Sequence, residues 1–153
     1  MNEHLIPGPD CIALIQQSEG FRSRPYLCLA GVPTIGYGST RHADGTPVTL
    51  RDAPITQAQA QALLLATLAP YADAVRRRVR VPLTQSQFDA LTSFVYNIGD
   101  EQFRLSTLLV LLNRGEIAGA AEQFGRWTRS AGRVLLGLVK RRAAERRLFM
   151  RGV

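Results

Sequence analysis

Only two cysteines, Cys11 and Cys28, occur in 153 residues. That is too few for a disulfide framework, and neither lies in metal-ligand spacing, so both are expected to be reduced thiols and no metal or other cofactor is expected. No apolar run approaches the roughly 20 residues needed to span a bilayer. The segment Met1 to Pro9 lacks a basic start followed by an apolar stretch and reads as neither signal peptide nor anchor, so the chain is expected to stay in the cytoplasm unless another protein releases it. Internal repeats, low-complexity tracts and linkers are missing, which at this length points to one domain. Zinc-finger spacing, a phosphate-binding glycine loop and an aromatic-basic RNA motif are missing as well, which argues against a nucleic-acid partner. Acidic residues are scarce: twelve Asp and Glu stand against nineteen Lys and Arg, a formal charge of +7. Such a chain is attracted to anionic partners, among them nucleic acid, an anionic membrane or a bacterial cell wall, and charge alone does not choose among them.

What is present is enough apolar material, 46% of residues, to bury a real core. Asp10 reads as the N-cap of a short helix, with Cys11, Leu14, Ile15 and Ser18 at helical spacing and Gly20 as the stop, which places Glu19 at the helix's C-terminal edge. From Arg24 to about Leu50 the pattern turns to Pro, Gly and β-formers, with turns at Ala30-Gly31-Val32-Pro33 and Asp44-Gly45; two or three antiparallel strands are expected there and nowhere else. Thr56 with Gln59 forms a capping box opening a helix toward Val79, which Pro70 should kink or break. Thr84 with Gln87 opens a second, whose Phe88, Leu91, Phe94, Val95 and Ile98 share a face and which Gly99 ends. Ser106 caps Thr107 to Asn113, Glu116 to Trp127 supplies a further short helix with Trp127 as a core anchor, and a Gly132 loop precedes a basic helix from about Leu138 to Met150. The fold class expected is α+β, mainly helical: a small antiparallel β-sheet lobe at about 20–55, joined by a long helix to a helical lobe within about 56–153.

Glu19 is the residue with chemical promise. Unpaired carbonyls at a helix C-terminus disfavour a carboxylate and favour the protonated form that a general acid needs. Standing alone it would be one more solvated Glu at a helix end. The surroundings change that reading. Ser18-Glu19-Gly20-Phe21-Arg22, then Pro25-Tyr26, then Gly31-Val32-Pro33-Thr34-Ile35-Gly36-Tyr37-Gly38-Ser39-Thr40 resembles the active-site segment of phage-type lysozymes, the endolysins of glycoside hydrolase family 24. In that family a catalytic Glu is followed after eight residues by Asp or Cys, and after five more by Thr; Glu19, Cys28 and Thr34 hold those places. The resemblance continues through Leu83-Thr84-Gln85-Ser86-Gln87-Phe88-Asp89-Ala90-Leu91, Tyr96-Asn97-Ile98-Gly99, Ser106-Thr107-Leu108-Leu109 and Gly137-Leu138-Val139-Lys140-Arg141-Arg142 with Glu145, nearly the whole chain from Ile12.

The resemblance implies one lysozyme-like catalytic domain over 1–153. It implies hydrolysis of the β-1,4 bond between N-acetylmuramic acid and N-acetylglucosamine of peptidoglycan, in a cleft between two lobes, for host cell lysis. Glu19 is then the acid, and Thr34 a hydroxyl suited to hold water. Cys28 departs from the commoner Asp and has three open readings: it activates water, attacks the anomeric carbon, or shapes the site while Thr34 positions water. Inversion is favoured, but the Cys leaves the stereochemistry open. Cys11 is expected in the core, and a redox coupling of Cys11 and Cys28 is a hypothesis only.

Tyr37, Thr40, Tyr96, Asn97 and Thr107 stand where the resemblance puts substrate contacts, and Arg142, with Arg141 next, is the candidate for orienting Glu19, while Arg146 and Arg147 suit a solvated basic face. A monomer is expected, dependent on a holin-type membrane lesion to reach the wall from the host cytoplasm. Its last helix is expected to touch anionic outer membrane transiently. Two other functions are compatible with parts of the sequence: a lytic transglycosylase, against which the Cys28 and Thr34 spacing argues, and a non-enzymatic basic module using Arg76-Arg77-Arg78-Val79-Arg80 and the Lys140 to Arg147 cluster.

Overall fold

Helix α1 runs over Pro9–Glu19 in the computed structural model, which describes all 153 residues. It begins two residues earlier than the Asp10 cap implies, because Pro9 suits the first helical position, where its missing N–H is no loss. Asp10 therefore lies in the first turn rather than capping it, and its carboxylate accepts from Arg151 at 2.7 Å. Gly20 ends the helix in the left-handed region (φ 72°), its N–H returning to the Gln16 carbonyl at 3.0 Å.

The chain forms two compact units, one of Ile15–Ala69 and one of Met1–Leu14 with Pro70–Val153. In the first, β1 (Arg22–Leu27) pairs antiparallel with β2 (Pro33–Gly36), Tyr26 opposite Thr34 and Leu27 opposite Pro33. A third strand does not form. The chain to Leu50 instead makes isolated bridges, Ile35 to Ser39 and Arg41 to Pro47. Side chains fix that loop: Asp52 accepts from the Thr49 N–H and hydroxyl (2.8 and 2.6 Å) and bonds His42 (2.6 Å). These bonds, Thr49's first, hold the Asp52 carboxyl down at about 2. Gly36 (φ 68°) packs so closely that a Cβ would come within 3.1 Å of that of Ala60. Ile35, Val48 and Leu63 make a small core with Ile55 against it.

Helix α2 (Gln57–Arg78) opens on the capping box of Thr56 and Gln59 (2.9 and 3.1 Å) and, contrary to expectation, runs unbroken through Pro70. A mid-helix proline costs about 3 kcal/mol. Buried Leu63, Leu64 and Leu68 before it and Ala72, Ala74 and Val75 after it outweigh that, each large side chain contributing about 1.5–3 kcal/mol.

In the second unit α3 (Gln85–Ile98) carries its full Thr84 and Gln87 capping box and ends at Gly99 (φ 90°). Gly99 also starts α4 (Asp100–Arg104), a turn and a half that no periodicity announces. Ser106 caps α5 (Thr107–Asn113) through the Leu109 N–H at 3.1 Å. Helix α6 (Ile117–Gln123) tightens into a 3₁₀ turn at Phe124–Arg126, so the expected helix to Trp127 stops short. A second sheet follows, β3 (Arg129–Ser130) with β4 (Arg133–Val134), turning on Ala131 (φ 50°) and Gly132 (φ 78°), both left-handed as a tight hairpin requires. Its exposed two-residue strands carry no alternation, which is why the sequence shows β structure in one place only. Helix α7 (Leu136–Phe149) closes the chain, two residues earlier than expected. Around Phe94 pack Phe103, Phe124 and Trp127, ring centroids 6.4, 5.1 and 5.8 Å away, so Trp127 is the core anchor expected of it. The resulting fold is mainly helical with two small antiparallel sheets, as the α+β reading requires.

Candidate active site

The β1–β2 hairpin in the unit of Ile15–Ala69 gathers the residues that the Glu19, Cys28 and Thr34 spacing singles out. Gly20 stops α1 one residue after Glu19, and β1 starts two residues later, so the half-buried Glu19 sits at the foot of the hairpin. Its charge reaches Tyr26: partial burial first, and Glu19 second, push the Tyr26 phenol up. Tyr26 faces Thr34 across the sheet.

Cys28 opens the tight turn at the hairpin's tip. Its N–H donates to the Val32 carbonyl (3.1 Å) and its carbonyl accepts from Gly31 (2.8 Å), which adopts a left-handed φ of 76°. That turn aims N–H groups at the sulfur: the Val32 N–H foremost, then that of Ala30, lower the Cys28 thiol from its ordinary value. Thr34 itself is buried, and its hydroxyl donates to the Val32 carbonyl at 2.8 Å. A thiolate beside a hydroxyl and ringed by N–H donors can take a proton from water or attack carbon. Tyr37 is buried with its ring 5.7 Å from that of Phe21, while Thr40 is exposed.

The remaining candidates lie in the other unit. Tyr96 is half-buried, stacked edge-on against Tyr71 at 5.2 Å, and Asn97 and Thr107 are exposed. Arg141 and Arg142 are both buried and converge on Glu145, which is fully buried: Arg142 at 3.2 Å, Arg141 at 3.4 Å, with the Ser93 hydroxyl donating to the same carboxylate at 2.6 Å. Arg142 also lies 4.9 Å over the Phe94 ring and donates from Nη2 to the Asn97 amide oxygen. Burial lowers its guanidinium to about 10, so it is a cation at neutral pH.

The sequence model of the family described as phage lysozyme matches residues 16–145. The chain belongs to the phage lysozyme family. It is 42% identical over 142 residues to the endolysin of Acyrthosiphon pisum secondary endosymbiont phage 1, covering 90% of this chain and 93% of that one. It is 43% identical over 143 residues to the endolysin of Bacillus phage PZA, covering 92% of this chain but 54% of that protein, so it spans about half of that longer relative. Among solved structures, the endolysin from Escherichia coli O157:H7 phage FAHEc1 superposes with a TM-score of 0.88 at 36% identity, over 98% of this chain and 96% of that one. This phage-type lysozyme is a peptidoglycan-hydrolysing glycoside hydrolase, a muramidase.

Within the lysozyme the two thiols are set apart by environment. Cys11 is fully buried in α1 of the other unit, and burial first, then the Asp89 and Glu145 charges, push its thiol far up. It is core, as expected, and both cysteines are free. The sequence reading missed the donors on the turn, since a backbone N–H has no letter of its own; Gly31 was its one visible sign. Ser93 was missed too, having no feature that separates it from its α3 neighbours.

Proposed function

We propose that this lysozyme, as one catalytic domain over 1–153, cleaves the β-1,4 bond between N-acetylmuramic acid and N-acetylglucosamine, with Glu19 as general acid and Cys28 with Thr34 handling water. The observation that carries this reading is the Cys28 turn, whose N–H groups favour the thiolate and which sets the Thr34 hydroxyl beside it. Glu19 gives its proton to the departing glycosidic oxygen as that bond breaks. A water held by Thr34 attacks the anomeric carbon and its proton passes to the Cys28 sulfur, so the new C–O bond replaces the old one with inversion. Solvent then reprotonates Glu19 and takes the proton from sulfur. Direct attack by sulfur would need no hydroxyl at its side, and Thr34 standing there favours the water route.

The remaining roles belong to the same proposal. Tyr37, Thr40, Tyr96, Asn97 and Thr107 contact the glycan, and of the two candidates for orienting Glu19, Arg142 and Arg141, the role falls to Arg141, because the Arg142 guanidinium is taken up by Glu145 and Asn97. No helix is long and apolar enough to cross a membrane, and the basic residues of α7, Arg146 and Arg147 among them, suit peripheral attraction to an anionic wall and transient contact with outer membrane. The enzyme acts as a monomer, made in the host cytoplasm and released to the wall through a holin-type lesion. Replacing Glu19 by Gln should abolish release of soluble fragments from purified walls while co-sedimentation with those walls persists; cleavage at the wild-type rate would remove Glu19 from the acid's role.

A further inference from the structure

Asn97 is exposed at the end of α3, yet its carboxamide is held from behind by a buried cation. A guanidinium only donates hydrogen bonds, so the group facing Arg142 Nη2 is the amide oxygen, and the NH2 is the end of this exposed residue that Arg142 leaves unused. An unrestrained surface carboxamide takes both flips about equally. A charge-assisted bond to one end biases them by roughly tenfold or more. Arg142 in turn has little freedom: it is 1% exposed, ion-paired to Glu145 at 3.2 Å and seated 4.9 Å over the Phe94 ring. Glu145 is itself held by Ser93 and Arg141.

We propose that Arg142, fixed by Glu145, is a positioning residue for Asn97, presetting it as a pure donor for an amide carbonyl oxygen of the substrate. This rests on the muramidase reading and adds the polarity of one subsite to it. Peptidoglycan offers such carbonyls in two places, the N-acetyl groups of the sugars and the peptide stems. Both present an acceptor where Asn97 presents a donor.

The deciding variant is N97D. It preserves, and strengthens, the bond to Arg142, so a merely structural role leaves the melting temperature and the KM no worse than wild type. The positioning role instead turns a donor into an acceptor, and KM rises about five- to tenfold or more, the loss falling on KM rather than kcat. Two substrates locate the carbonyl: intact soluble peptidoglycan chains, and the same chains stripped of stems by an amidase. A rise on both assigns the N-acetyl group, and a rise on the intact chains alone assigns the stem. An unchanged KM on both, with the wild type active, overturns the proposal and leaves the muramidase reading standing. For Arg142 itself, R142K retains a cation and one donor whereas R142M retains neither, so KM should rank wild type, R142K, R142M. R142K and R142M with equal KM, both folded by near-ultraviolet circular dichroism, would also overturn it.

Discussion

The Cys28 turn and the Arg142–Glu145 cluster hold charge by opposite means. At the turn, a half-buried sulfur is surrounded by backbone N–H groups and a hydroxyl within seven residues of chain, and its anion is favoured without a cation beside it. Between α3 and α7, two guanidiniums and one carboxylate are buried together, and burial works against the charge of Arg142 and Glu145 alike. The first arrangement is local and tunes reactivity. The second joins residues about fifty positions apart and depends on every partner being present.

Removing a member should therefore show in stability on one side and in chemistry on the other. Replacing Glu145 by Ala strands two buried cations and should lower unfolding stability by about 3–5 kcal/mol, read from denaturant melts. Replacing Cys28 by Ala should leave the melt unchanged and lower kcat by about a hundredfold or more. An equal loss of stability in the two variants would erase the contrast.

A subtler change keeps Cys28's role and alters its proton affinity. In the proposed mechanism the base is the deprotonated thiol, so activity should be present above the lowered thiol pKa and be lost as pH falls through it. The Cys28→Asp variant should remain active and move that acid limb down toward the carboxylate range, about pH 4. A limb that stays in place assigns it to another group. Smallest in consequence for the enzyme, but direct, is alkylation of the native protein by iodoacetamide. Cys28 should be labelled at a pH below that needed by an ordinary thiol, and Cys11 only after unfolding, with peptide mapping to tell them apart.

The same division explains what the sequence could announce. Local chemistry was legible: the capping boxes of Thr56 with Gln59 and Thr84 with Gln87, the Gly20 and Gly99 stops, the Ser106 cap, and the spacing of Glu19, Cys28 and Thr34 onto one helix end and one hairpin. Elements whose cause is tertiary were not. Pro70 reads as a break until the apolar residues buried on both sides of it are known, and β3 with β4 are too short to alternate. Nor does any periodicity tie Ser93 and Asn97 on α3 to Glu145 and Arg142 on α7, because that meeting is fixed by how two helices pack.

The central claim is that Glu19 and the Cys28–Thr34 hairpin add water across a glycosidic bond. Mass spectrometry of fragments released from purified Gram-negative peptidoglycan, by the enzyme and by its Glu19→Gln variant, tests it most directly. Water-added products ending in reducing N-acetylmuramic acid, absent with the variant, are the expected result. Anhydro-muramic ends would show that the muramic-acid hydroxyl rather than water attacks, and would contradict the account.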